Sequence, residues 1–246
     1  MLKKILPLVI VFALLILSSS CSKNNDSTEE LSYSGDIAGH VSLYDQYGSK
    51  VLTGLSSATV TVVGGGVSTI ADSSGYYIFY NATTGVFNFS VTDSGYAYTQ
   101  TNNFQYLGDT LNKDLKMSAI PHFSPTGYIA DTALSAPGDS IVLTFNADIR
   151  ARNCILFINT ASTVNNAPAN YLLAYTKAIA ANQTKATIII PAGDLTDAGI
   201  APGSTIYCAA YGYVVGDVSV YEDQVTGKNV YNAVSTTPVL FTVTAP

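Results

Sequence analysis

The sequence predicts an all-β protein: two tandem β-sandwich domains behind an N-terminal targeting segment and a flexible tether. Three observations carry this. After residue 30, Tyr, Val, Thr, Ile and Phe dominate in short alternating runs broken by Gly, Asn, Asp and Ser. No long segment there shows an amphipathic helical pattern. The 246 residues are enough for one large domain or two ordinary ones.

The first residues read as an address. Lys3 and Lys4 precede an apolar run from Ile5 to Leu17, too short for a bilayer-spanning helix of about 20 residues. A basic start, a short apolar core and then small residues describe a secretory signal. The small residues are Ser18, Ser19 and Ser20, followed directly by Cys21. This resembles the lipobox of bacterial lipoproteins, with Ser18 where Leu is usual and Leu17 one place earlier. The resemblance implies cleavage before Cys21, lipidation of Cys21 and membrane attachment through that lipid anchor. Serine-rich lipoboxes of this kind resemble those of Bacteroidota. Signal peptide is thus expected over residues 1–20 and tether over 21–32. Ser22 to Glu30 contains no apolar residue and cannot pack. Lys-plus-acid stretches at this place send similar lipoproteins to the cell surface, and Lys23 followed by two Asn matches in part. The expected location is therefore the outer membrane, facing the cell surface, with a periplasm-facing protein as the alternative.

The first sandwich is expected over residues 33–119. Ile37, Gly39, Val41 and Leu43 share one face of a first strand. Ala58 to Val63 alternates cleanly and Gly64-Gly65-Gly66 ends it. Asp72 to Gly75 is a turn with Gly at its left-handed position. Tyr76–Tyr80 and Gly85–Val91 are the next strands, Gly95–Tyr98 starts another, and Leu111–Met117 closes the set. This thread resembles the carboxypeptidase regulatory-like domain, a transthyretin-like sandwich. The family pattern G-x-V, A-x-V-x-V, T-D-x-x-G-x-Y-x-F, G-x-Y-x-L-x-V and G-Y falls on Gly39–Val41, Ala58–Val62, Ala71–Phe79, Gly85–Val91 and Gly95-Tyr96. Ala71 stands where Thr is usual and Phe87 where Tyr is usual. The resemblance implies a non-catalytic module.

A seam at Ser118–His122, interrupted by Pro121, separates a second sandwich over residues 122–246. Its strand candidates are Ser140–Phe145, Cys154–Ile158, Tyr171–Tyr175, Ala186–Ile190, Thr205–Val215 and Val239–Val243. Six or seven strands in this length suit an immunoglobulin-like sandwich. Leu195 to Tyr207 resembles the L-x-P-G-x-x-Y loop of fibronectin type III domains with one residue too many. Either Ile206 takes the usual Tyr place or the loop is longer.

Composition argues against catalysis and against nucleic acid. The chain has two His, two Arg, three Glu and no Trp, and its net charge is −6. Only 11% of residues are charged, against about 25% in ordinary soluble proteins. Loss of the signal would leave nine bases against 17 acids. Nucleic-acid binding needs a clustered basic surface. No G-x-S-x-G elbow, Walker loop or His-x-x-Glu pair occurs, and His40 and His122 have no second ligand nearby. Glu222 and Asp223 are adjacent, so on a strand they point to opposite faces. Asp194, Asp197 and Asp217 lack calcium-loop spacing and read as turn residues. No enzyme, metal or cofactor is expected.

Cys154 and Cys208 remain after Cys21. A bridge between them and two free buried thiols are open alternatives, since spacing alone cannot bring two Cα atoms within about 7 Å. Tyr207, Tyr211 and Tyr213 share one face of the last long strand. Facing outward they form a stripe for sugar rings or a partner protein, and facing inward, the favoured reading, they are core. Asp131-Thr132-Ala133 matches the short O-glycosylation pattern of Bacteroidota and makes Thr132 the best acceptor candidate. The expected role is a non-catalytic, lipid-anchored envelope protein that binds an extracellular ligand. Polysaccharide is favoured by analogy, and another envelope protein is the other partner class. A spacer, adhesin or fimbrillin-like assembly subunit is the alternative.

Overall fold

The computed structural model describes residues 34–129 and 140–246. Cys21 and Thr132 therefore lie outside the described residues. In the first half the strands are β1 (Ser34–Tyr44), β2 (Lys50–Val51), β3 (Thr59–Val62), β4 (Ser68–Ile70), β5 (Tyr76–Thr83), β6 (Gly85–Thr92), β7 (Thr99–Tyr106), β8 (Leu111–Asn112) and β9 (Leu115–Ser118). One sheet is centred on β1. It pairs antiparallel with β5 and β2, and parallel with β8 and β9. The other sheet runs β4-β3-β6-β7, antiparallel throughout. Between them lies a core that includes Ile37, Val41, Leu43, Val60, Tyr77, Phe79, Phe89, Val91 and Met117. These are the inward positions of the alternating runs, as a period of two requires. The turn at Asp72 forms as expected. The Asp72 carboxylate accepts N–H bonds from Ser74 and Tyr76, and Gly75 takes φ of 84°. A side chain at Gly75 would also meet the carbonyl of Val41.

The second half contains β10 (Gly127–Ile129), β11 (Ser140–Thr144), β12 (Arg152–Asn159), β13 (Leu173–Ile179), β14 (Lys185–Ile189), helix α1 (Ala192–Asp197), β15 (Thr205–Tyr213), β16 (Tyr221–Glu222), β17 (Asn229–Val230) and β18 (Val239–Thr244). A three-stranded sheet β10-β11-β14 faces a four-stranded sheet β13-β12-β15-β18. All pairs are antiparallel. The core between them includes Ile141, Leu143, Leu156, Ile158, Ile188, Ile206, Phe241 and Val243. Ile206 faces this core and Tyr207 the opposite side of β15, so Ile206 takes the inward place at the end of the loop.

The protein is thus all-β, with two sandwiches in tandem. The strands expected from the sequence are present with ends moved by a few residues, except that Leu111–Met117 is broken at Lys113-Asp114 into β8 and β9. One start moves further: Asp93–Tyr96 forms a turn, and the strand begins at Thr99. The elements without a strong sequence signal are the shortest ones: β2, β4, β10, α1 and the β16–β17 hairpin. Tyr33–Pro246 is one compact unit, and it holds the cores of both sandwiches.

A third core joins the halves. It gathers Ala97 from the first sandwich and Ile155, Phe157, Ala209, Tyr211 and Tyr213 from the outer face of the four-stranded sheet. Val164 and Tyr171 from the β12–β13 connection and Val214, Ala233 and Val234 from the β15–β18 connection complete it, and Ile120 of the seam packs against it. The seam is therefore part of a packed interface.

Candidate functional site

The junction is built by the long connection between β15 and β18, residues 214–238. An ordinary antiparallel hairpin needs two to five residues here. This insertion instead folds across the outer face of its own sheet and onto the β7 side of the first sandwich. Its backbone and side chains are paired across the junction. The Ser118 N–H donates to Ser219 Oγ at 2.7 Å, and the Val218 N–H donates to Ser118 Oγ at 3.0 Å. Ser118 and Ser219 are 1% and 0% exposed, so each replaces lost water contacts with a specific partner. Asn102 donates to the Glu222 carbonyl, Asn103 to Gln224, and Asn232 to the Tyr98 carbonyl. Tyr98 and Tyr221 meet edge to face with centroids 6.0 Å apart. The insertion thereby covers the free edge of β7, which otherwise presents unpaired backbone groups.

Polar contacts from the β1–β2 turn hold the other side of the junction. Tyr47 OH donates to Asp148 at 3.0 Å, and the Arg150 guanidinium lies 3.3 Å from the Tyr47 ring centroid. The Arg150 N–H and the Tyr47 hydroxyl hold the Asp148 carboxyl below the usual carboxylate range. The second arginine, Arg152, is buried at 2% exposure. It donates to the carbonyls of Asn146 and Gln183 and lies over the rings of Phe123 and Phe145. Both arginines of the chain are thus engaged at or beside the junction. Gly212 of β15 lies under the seam, where a Cβ would collide with the Phe123 carbonyl. Only glycine allows this approach.

Two alternatives that the sequence left open are decided here. Cys154 and Cys208 are both free and buried. They sit on neighbouring strands, but Cys154 pairs with Gly212 and Cys208 with Ile158, four positions out of register. Four residues of strand put them about 13 Å apart, at about 3.3 Å per residue, beyond the roughly 7 Å a disulfide can span. Burial pushes both thiols up to about 12. The tyrosine stripe takes the favoured inward reading at Tyr211 and Tyr213. Tyr211 and Tyr213 are 5% and 6% exposed and belong to the third core, while Tyr207 is half-buried. Cys208 and Ala210, on the opposite face, are buried in the sandwich core. Both faces of β15 are covered because the insertion lies over one of them. Burial pushes the Tyr213 phenol above its ordinary range, and Asp217 nearby pushes the same way.

The junction leaves a cleft of about 180 Å³. Its walls are Thr99, Gln100 and Thr101 of β7, Asp114, Leu115 and Lys116 of the β8–β9 segment, and Val218 and Val220 of the insertion. Clefts between domains are a common place for ligands, and this one is below the roughly 300 Å³ at which drug-sized pockets begin. It offers hydroxyls, a carboxylate and an ammonium on a small apolar floor, while the Gln100 amide accepts from the Tyr98 hydroxyl and donates to Asn102. Asp114 already accepts the His40 N–H at 2.9 Å, which fixes the carboxylate. Such a set gives and accepts hydrogen bonds. Among the described residues no three His, Cys, Asp or Glu gather to hold a metal. His40 Nδ1 lies 3.9 Å from the Asp114 carboxylate. The cleft residues escaped sequence reasoning because they come from segments more than 100 residues apart, with no local signature.

No protein-family model matches the chain, and no curated protein matches it. Among solved structures, similarity extends to a type II cohesin–X-dockerin complex from Acetivibrio cellulolyticus at 20% identity and TM-score 0.29, covering 35% of this chain and 58% of that one. A Bacteroides uniformis protein whose name proposes carbohydrate binding aligns at 12% identity and TM-score 0.29, covering 85% and 98%. A DUF3823 family protein from Parabacteroides merdae aligns at 10% identity and TM-score 0.30, covering 87% and 100%. Similarity this low carries no argument about function.

Proposed function

We propose that the chain is a non-catalytic, lipid-anchored protein of the outer membrane, exposed at the cell surface, whose fused sandwiches bind an extracellular polysaccharide. The observation that carries the binding reading is the polar cleft at the junction, walled by Gln100, Thr101, Asp114 and Lys116. A mix of donors and acceptors in a shallow cleft suits the hydroxyls of a sugar unit at a chain end. The anchor reading rests on the basic, apolar and small-residue order that ends at Cys21. Several acyl chains on one residue hold firmly, at about 0.8 kcal/mol per buried methylene. Thr132 is the proposed O-glycan acceptor, with intact mass of the native protein as its check.

A glycan array probed with residues 33–246 tests the binding reading. Binding that is lost in both Gln100→Ala and Asp114→Ala, with unchanged thermal stability, supports it. A blank array, or binding unaffected by both changes, sinks it. Incorporation of labelled fatty acid that disappears in Cys21→Ser tests the anchor separately. A second reading, an assembly subunit, is favoured by one observation, the edge of β18 with which no described strand pairs.

A further inference from the structure

The sheet edges of this protein are protected in recognisable ways, with one exception. Exposed edges template pairing with another chain, and proteins blunt them with charges, short strands, irregularities or covering segments. β2 has two residues, β4 and β10 three each. β8 and β9 carry Lys113 between them and Lys116. β13 and β14 carry Lys177 and Lys185. β5 is interrupted by left-handed Asn81 and a register shift in its pairing with β1. β7 is covered by the insertion. Among the described residues, only β18 has none of these devices. It reads Val-Leu-Phe-Thr-Val-Thr over Val239–Thr244, pairs with β15 on one side and with no described strand on the other.

Beside that edge runs a groove of about 360 Å³, lined by Tyr128, Val164, Tyr207, Leu240, Phe241 and Thr242 among others. Leu240 is 61% exposed and Tyr128 43%. The Tyr128 ring stacks on Phe241 with centroids 4.1 Å apart, which fixes one wall. No charged side chain lines the groove.

We propose that β18 is a dimerisation edge, taking β18 of a second copy of this chain in antiparallel pairing. A two-fold axis across the edge makes the contact self-complementary, because each strand meets the same surface that it offers. The chain is acidic overall, with net charge −6, so two copies repel over most of their surfaces. The β18 edge is neutral, and the pairing sets no like charges opposite one another. Uncharged strands of high β-propensity with no Pro or Gly are those that pair most readily. Dimerisation would join two four-stranded sheets into one of eight strands and cover Leu240. The proposal rests neither on the lipid anchor nor on the sugar cleft.

Sedimentation equilibrium of residues 33–246 tests it, together with Leu240→Lys and Thr242→Lys, both at exposed positions. The expected result is a wild-type dimer and two monomeric variants with unchanged circular dichroism. Hydrogen exchange of the β18 amides should slow in the wild type as concentration rises. A wild type that stays monomeric at high concentration overturns the proposal. So does a dimer that persists in both lysine variants, because it then uses another surface.

Discussion

Replacing Ser219 with alanine removes one oxygen from the junction and nothing else. Ser219 Oγ is the acceptor for the Ser118 N–H at 2.7 Å, and both residues are buried. The change leaves that N–H without a partner in a site closed to water. An unsatisfied buried donor costs about 1–3 kcal/mol. For a unit of this size each kcal/mol moves the thermal midpoint by about 2–4 °C. The midpoint of Tyr33–Pro246 should therefore fall by about 2–12 °C, followed by circular dichroism at the strand signal. The transition should stay single, because the loss weakens a contact shared by both sandwiches. An unchanged midpoint would refute the reasoning, since it would mean that the serine pair is solvated or that the insertion does not seat on β9.

Other changes report on neighbouring parts of the account. Gly212→Ala forces a Cβ against the Phe123 carbonyl and should cost about 1–3 kcal/mol through backbone displacement, read as a lower urea midpoint. Tyr211→Ser and Tyr213→Ser each empty a buried aromatic site and should cost about 3–5 kcal/mol; full stability in both would return the stripe to the surface. Thiol reagent should label neither Cys154 nor Cys208 until the protein unfolds, and then label both. Both native thiols titrate near 12 instead of an ordinary value of 9.0. A raised native value favours the folded state below pH 9 and loses that contribution as pH climbs toward 12. Urea midpoints should fall over this window, and less steeply in a Cys154→Ala, Cys208→Ala double variant. Equal slopes would contradict the burial of the thiols.

Much of the fold was legible because one periodicity serves both local structure and packing. The alternation of Val60, Val62, Phe87, Phe89 and Val91 marks strands and also names the side that packs inward. The β15 pattern was legible in period but not in meaning. Tyr211 and Tyr213 alternate with Ala210 and Gly212 as expected, yet alternation cannot tell one covered face from two. The cover is the insertion, whose strands β16 and β17 have two residues each and no periodic signal. Its order comes from tertiary contacts such as Asn232 with Tyr98 and Asn166 with Tyr231. The cysteines illustrate the same limit. Sequence placed each on a strand, but register decides whether two strand residues meet, and a shift of four separates them. The junction cleft combines β7, β9 and the insertion, so no single segment could announce it.

The central structural claim is that residues 214–238 make two sandwiches into one body. Differential scanning calorimetry of Tyr33–Pro246 tests it directly. One transition with matching calorimetric and van't Hoff enthalpies is expected, the mark of a single cooperative unit. Two resolved transitions, one for each sandwich, would contradict it.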